Sequence, residues 1–169
     1  MNSSASEKED PIILRTKLHR PPIPPDFVPR PRLADILEAG RTLPLTLVAA
    51  PAGYGKSVLV SSWLQGSEWP SAWLSLDTDD GDIRQFLRYF VAAVRTVRAD
   101  ACKQSGNLLS AVDLPPTATV ATILANDLDN IEQPFLLALD DYHRIREKAV
   151  HDLLSALLDH SASVMHLVI

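Results

Sequence analysis

The segment Ala50-Pro51-Ala52-Gly53-Tyr54-Gly55-Lys56-Ser57 has the residue types and spacing to grip a polyphosphate. It fits the phosphate-loop pattern, with Ala50 where Gly is usual. That departure is mild, because the first position mainly closes the turn and a methyl can be accommodated there. A polyphosphate needs several backbone N–H groups aimed at one point and backed by the positive end of a helix. Gly53 and Gly55, lacking Cβ atoms, let the loop take backbone angles closed to other residues and approach the phosphates closely. Lys56 is placed to reach the β/γ-phosphates as a point charge, and the Ser57 hydroxyl to ligate Mg²⁺. Pro51, Ala52, Tyr54 and Val58 complete the contact stretch. The competing reading is a Gly-rich strand-to-helix turn that merely carries a Lys.

A second candidate lies downstream, where Phe135-Leu136-Leu137-Ala138-Leu139 runs into Asp140-Asp141-Tyr142-His143. An unbroken apolar run ending in an acid resembles Walker B and suits a strand buried on both faces of a parallel sheet. Ligands bind at the carboxyl ends of such strands, so Asp140 is expected beside the phosphate loop as the Mg²⁺-side carboxylate. Asp141 is expected to orient or deprotonate the attacking water. Adjacent side chains on an extended chain point opposite ways, so the two acids can share a task only if the strand ends between them. A strand-end turn that caps the next helix is the alternative.

These residues need elements to hold them. Leu45 to Ala49 reads as a buried strand, and Val58-Leu59-Val60 with Trp63-Leu64 as one face of a helix. Ser71 to Leu76 reads as a second strand, ending in the acidic run Asp77 to Asp82. An EF-hand fails there, because Gly81 falls at the fifth position from Asp77 and no Glu occupies the twelfth. Asp77 is expected to face the nucleotide site, and Asp79, Asp80 and Asp82 to cap the next helix. That helix carries Ile83, Leu87, Phe90, Val94 and Val97 on its core face, with Arg84, Arg88 and Arg95 on a solvated one. Residues 99–116 lack periodicity and predict a long mobile connection. Val120 to Ile131 and Val150 to Leu158 predict two further helices, the second crossing to a last strand at 163–169. Repeated βα units imply a parallel sheet with helices on both faces.

Residues 21–31 hold six of the thirteen prolines, so this segment is expected to run extended into a short helix near Arg32 to Ala39. It is locally basic through Arg15, Lys17, Arg20, Arg30 and Arg32. The expected organisation is a disordered tail at 1–12, a Pro-rich segment and short helix at 13–41 flanking the site, and a nucleotide-binding core at 42–169.

Five elements occur in order: Lys17-Leu18-His19-Arg20-Pro21, Val28-Pro29-Arg30-Pro31-Arg32-Leu33, Ala50 to Ser57, Trp73-Leu74-Ser75-Leu76-Asp77 and Leu139 to His143. Over roughly residues 14–169 the chain resembles the N-terminal ATP-binding domain of the MalT-like (LuxR-family) bacterial transcription regulators, in the STAND class of NTPases. The resemblance implies a P-loop NTPase fold, three layers α/β/α, with about four parallel strands present in the order second, third, fourth, first. It implies ATP or ADP with Mg²⁺ as cofactors, and Val28 and Arg30 on the adenine side. It also implies a switch with slow hydrolysis that self-associates in the full-length protein and meets DNA only through a C-terminal domain lying beyond this chain. The chain stops inside the apolar run Ser163 to Ile169, which reads as a truncation before a fifth strand. The phosphate-loop strand would then become an exposed apolar edge, prone to self-association.

Composition sets outer bounds. With 169 residues, 46% of them hydrophobic, one domain can bury about two-thirds of its unfolded surface. A single cysteine, Cys102, forms no internal disulfide and fits a reducing, cytoplasmic setting. No apolar run approaches the roughly 18 residues of a membrane span. The net charge of −5 argues against this region wrapping a nucleic-acid backbone. His19, His143, His151, His160 and His166 have no ligand spacing, and Trp63, Trp69 and Trp73 read as core or rim. A free-standing ATPase or small-molecule kinase is the alternative function, although no arginine-bearing lid follows the third strand. An interaction module with an empty loop is a third.

Overall fold

A computed structural model describes residues 13–160 and 164–169. The tail expected at 1–12, and Ser163 of the last strand, lie outside the described residues. The four strands are β1 (Leu45–Thr46), β2 (Ser71–Ser75), β3 (Phe135–Asp140) and β4 (Met165–Val168), paired in parallel in the order β1-β4-β3-β2. That is the expected order read from the other edge. Among the described residues six α-helices connect or flank them: α1 (Pro31–Gly40), α2 (Lys56–Gly66), α3 (Ile83–Val97), α4 (Lys103–Leu108), α5 (Thr117–Asp129) and α6 (Lys148–His160).

Alternation along β3 separates the layers. Phe135, Leu137 and Leu139 pack into the core built by α3, α5 and α6, while Leu136 and Ala138 pack with Leu37 of α1 and Leu59, Trp63 and Leu64 of α2. All five are buried, so the strand has no polar side to display, which is why its sequence does not alternate. The result is three layers, α/β/α.

β1 is the edge strand expected, with β4 as its neighbour among the described residues, but it is not the buried strand that its composition suggested: Leu45 and Leu47 are exposed. Its ladder outlasts its short assigned span, since Ile169 N–H donates to Thr46 and Val48 N–H to Ile169. Pairing therefore holds the strand up to the phosphate loop even where packing does not cover it.

The segment expected to be a long mobile connection is instead ordered by side chains of α3. Arg84 Nη1 donates to the carbonyls of Leu109 and Ala111 at 3.0 and 2.8 Å, and Nη2 to that of Val112 at 2.9 Å. Arg95 donates to the carbonyls of Ala101 and Cys102 at 3.1 and 3.2 Å. The face read as solvated thus serves as a rack of donors for a segment without a hydrogen-bonded ladder. Asp127 of α5 completes it by accepting the Gln104 and Ser105 N–H groups at the start of α4. Cys102 enters α4 in the left-handed region, and its burial pushes the thiol up to about 12, which keeps it protonated and inert.

Arg84→Met should lower stability by about 1–3 kcal/mol, because three carbonyls lose their donors. Arg88→Met, which removes only a contact to Gln85, should cost less than about 0.5 kcal/mol. Urea unfolding checks the pair, and equal losses would refute the rack.

Candidate nucleotide-binding site

The carboxyl ends of β1 and β3 meet at the loop between β1 and α2. Gly53 and Gly55 have φ of 83° and 75°. A Cβ at either would meet nothing within 4 Å, so glycine is required here by backbone conformation rather than by space. α2 starts immediately after Gly55 with no side chain capping it, which presents its N-terminal N–H groups and dipole to the loop. Pro51, Ala52, Gly53, Tyr54 and Gly55 are all exposed, and Val58 is half-buried in the first turn of α2.

Lys56 arches back over the loop. Its Nζ donates to the carbonyls of Ala50 at 2.7 Å and Pro51 at 3.2 Å, leaving a cation above the turn. Arg30, at the end of the Pro-rich segment, donates from Nη1 to the Tyr54 carbonyl at 3.1 Å. Val28 is 74% exposed and makes no comparable contact.

Ser57 and Asp140, 83 residues apart, are brought together: the Ser57 hydroxyl donates to Asp140 Oδ1 at 2.8 Å. Desolvation raises the Asp140 carboxyl above the ordinary aspartate range; the Ser57 bond opposes that shift and the charge of Asp141 adds to it. Asp141 itself has φ of 59°, a left-handed turn that ends the strand and separates the two acids. Its carboxylate lies 3.5 Å from Arg144 Nε and 3.8 Å from His143 Nδ1, on the exposed side.

Asp77 does not face the loop. β2 runs beside β3, and Leu76 N–H donates to the Asp140 carbonyl at 2.9 Å, but the next residue turns away. Asp77 pairs with Lys17 at 2.7 Å and caps a 3₁₀ turn at Thr78–Gly81, accepting from Asp79 N–H. The hydrogen bond from Lys17 leads in lowering the Asp77 pKa. Asp82 alone caps α3, accepting from Gln85 N–H at 2.9 Å, whereas Asp80 is buried against Lys17. Trp63 and Trp73 are core residues, and Trp69 lies at the rim under Arg41. His166 is buried, with Nδ1 hydrogen-bonded to the Leu43 carbonyl and burial holding its pKa down.

The AAA ATPase domain family matches residues 31–169, a span that opens at α1 and includes the whole sheet. The chain belongs to the AAA ATPase domain family. It is also 30% identical over 158 residues, 94% of its length, to the HTH-type transcriptional regulator MalT of Klebsiella pneumoniae subsp. pneumoniae and to that of Yersinia pestis. The chain spans 17% of the length of these curated relatives. It is therefore a MalT-like NTPase domain of the P-loop fold. Membership of the AAA family implies nucleotide binding, usually with Mg²⁺. The residues present fit that ligand pair: Ser57 and Asp140 offer one hydroxyl and one carboxylate, the hard oxygens Mg²⁺ takes while keeping waters and phosphate oxygens as its other ligands. No helix among the described residues is long and apolar enough to cross a membrane.

Residues of structural consequence to this site that sequence reasoning did not single out are Lys17 and Ser61. Lys17 stood as one charge in a basic segment and as the first residue of a family element, with no partner assigned to it, and Ser61 had no signal at all. An Asp77-to-Asp80 capping box was legible in the spacing.

The Asp140 carboxyl should titrate above about 3.9, its unperturbed value, when its carboxyl ¹³C shift is followed by NMR in the nucleotide-free chain. Because the folded pKa exceeds the unfolded one, the ionised carboxylate costs stability above that pKa, and protonation relieves the cost as pH falls through it. Ser57→Ala should raise the midpoint further and Asp141→Asn should lower it. Midpoints unmoved by both changes would refute the assigned environment.

Proposed function

We propose that this chain is the ATP/ADP-binding, slowly hydrolysing switch domain of a signal-responsive transcription regulator of the STAND class. The observation that carries the reading is the convergence of Lys56, Ser57 and Asp140 at one end of a parallel sheet, in a chain similar along most of its length to MalT regulators. The loop from Pro51 to Val58 cradles the phosphates with its N–H groups, and Lys56 exchanges its two loop carbonyls for phosphate oxygens. Ser57 and Asp140 would hold Mg²⁺, which would supply positive charge against that developing on the β- and γ-phosphates. Val28 and Arg30 border the base side. Asp141, turned outward beside Arg144, acts on the attacking water as base or orienting group.

Residues 13–41 flank the site and 42–169 form its core. In the full-length cytoplasmic regulator this domain self-associates according to the nucleotide it holds. DNA is met by a separate domain, since this region carries a net charge of −5.

ATP or ADP at a hundredfold excess over Kd should stabilise the chain by about 2.7 kcal/mol, read as a rise in melting temperature. Lys56→Ala should abolish the rise, and no rise with either nucleotide in the unaltered chain would sink the reading. In a turnover assay Asp141→Asn should lower phosphate release more than nucleotide affinity; equal losses would remove its role in hydrolysis. Rapid transfer to an added acceptor would point to a kinase instead.

A further inference from the structure

A buried ion cluster sits apart from the phosphate loop, on the far side of the site. Asp80 is fully buried, and its carboxylate accepts from Lys17 Nζ at 2.7 Å and from Asp77 N–H at 2.9 Å; Oδ1 has no partner among the described residues. Lys17 also pairs with Asp77 at 2.7 Å and lies 4.7 Å from the centroid of the Tyr89 ring on α3. A buried carboxylate robbed of its counter-ion is strongly unfavourable, so the fold demands that Lys17 stay docked. The Tyr89 hydroxyl reinforces the docking by accepting from Leu14 N–H at 3.2 Å.

The segment beginning at Lys17 ends at the phosphate loop. A second anchor lies between, where the buried Ser61 hydroxyl of α2 donates to the Pro21 carbonyl at 2.6 Å. From there to Arg30 the chain carries Pro21, Pro22, Pro24, Pro25 and Pro29, each with a fixed φ. Such a stretch behaves as a semi-rigid spacer rather than a slack tether. Its far end is Arg30, bonded to the Tyr54 carbonyl within the loop itself.

We propose that Lys17 is a positioning residue for the nucleotide: held by Asp77 and Asp80, it sets through the proline-rich spacer where Arg30 meets the phosphate loop. This rests on the nucleotide-binding reading above. No contact of Lys17 with nucleotide is required, and its influence passes through Arg30. The cluster has a reason to be charged in a position where an apolar contact would fill the space: an ion pair fixes a single register for the docked segment, whereas apolar surfaces tolerate sliding.

The test uses the double variant Lys17→Met/Asp80→Asn, which removes both buried charges together, alongside Lys17→Arg, Asp77→Asn and Arg30→Gln. ADP and ATP affinities are measured by calorimetry below the onset of melting. The double variant and Arg30→Gln should each weaken binding roughly three- to tenfold, the loss of one ordered hydrogen bond. Lys17→Arg should restore much of it, and adding Arg30→Gln to the double variant should cost nothing further. Hydrogen exchange at Ile23, Phe27 and Val28 in the nucleotide-free chain should quicken in the double variant. Affinity and exchange both unchanged, or losses that add in full with Arg30→Gln, would overturn the proposal. If the double variant does not fold, Asp77→Asn decides: it keeps the Asp80 pair and should weaken binding partially, and unaltered affinity would overturn the proposal. An unaltered chain that binds neither nucleotide would sink the underlying reading, which is a different result from a chain that binds well whatever stands at position 17.

Discussion

A strand buried on both faces has no polar side chain until it leaves the sheet, and the first one it then exposes is fixed in place by everything packed around the strand. In this chain the strand is Phe135–Asp140, and the residue is Asp140. Neighbouring strands on both sides hold its backbone, while two helical layers hold its apolar side chains. Asp140 therefore arrives at the carboxyl end of the sheet in one geometry, facing Ser57 at 2.8 Å. The phosphate loop depends on the same arrangement from the other direction, since α2 can present Ser57 only if Leu59, Trp63 and Leu64 are packed on that strand. The placing of these two side chains is a by-product of burial in the core.

Charge is distributed unevenly in the rest of the fold, and mostly as structural donors. Arg84 and Arg95 tie down a segment that has no ladder of its own, Asp127 caps the short helix within it, and Lys17 neutralises a carboxylate that would otherwise be stranded in the interior. Desolvation works against the Lys17 ammonium, yet its hydrogen bonds to Asp77 and Asp80 outweigh that cost and leave its pKa raised. Lys56 differs from these cations in place: the two carbonyls it bonds belong to the exposed phosphate loop from which it springs, whereas those of Arg84 and Arg95 belong to a separate segment that they hold against α3.

Much of the site was legible from local pattern. Glycines one and three residues before a Lys-Ser pair, with a strand-like run in front and a helical face behind, imply a loop whose geometry is nearly fixed by backbone chemistry, and Gly53 and Gly55 duly adopt positive φ. The unbroken apolar run before Asp140 implied a two-sided strand for a similarly local reason. Readings that failed were those requiring knowledge of a distant partner. Asp77 was assigned to the site by its strand-end position but is claimed by Lys17, sixty residues earlier. The arginine face of α3 was read as solvated because the carbonyls it serves lie in a stretch with no periodicity to announce it. Leu45 and Leu47 were read as buried because their composition says strand, whereas burial depends on what lies across the sheet.

The amino-acid sequence alone determined the main strands and helices, though not α4, together with their parallel βα succession and the residue types expected of a phosphate site, because propensity, apolar period and glycine conformation act over a few residues. Only the tertiary structure decided which charges meet: that Ser57 faces Asp140, that Arg30 reaches the loop, and that Lys17 is consumed by Asp77 and Asp80. Ion pairs and hydrogen bonds between residues far apart in the chain leave no periodic trace in it, and their partners are chosen by the order in which packing stacks strands and helices.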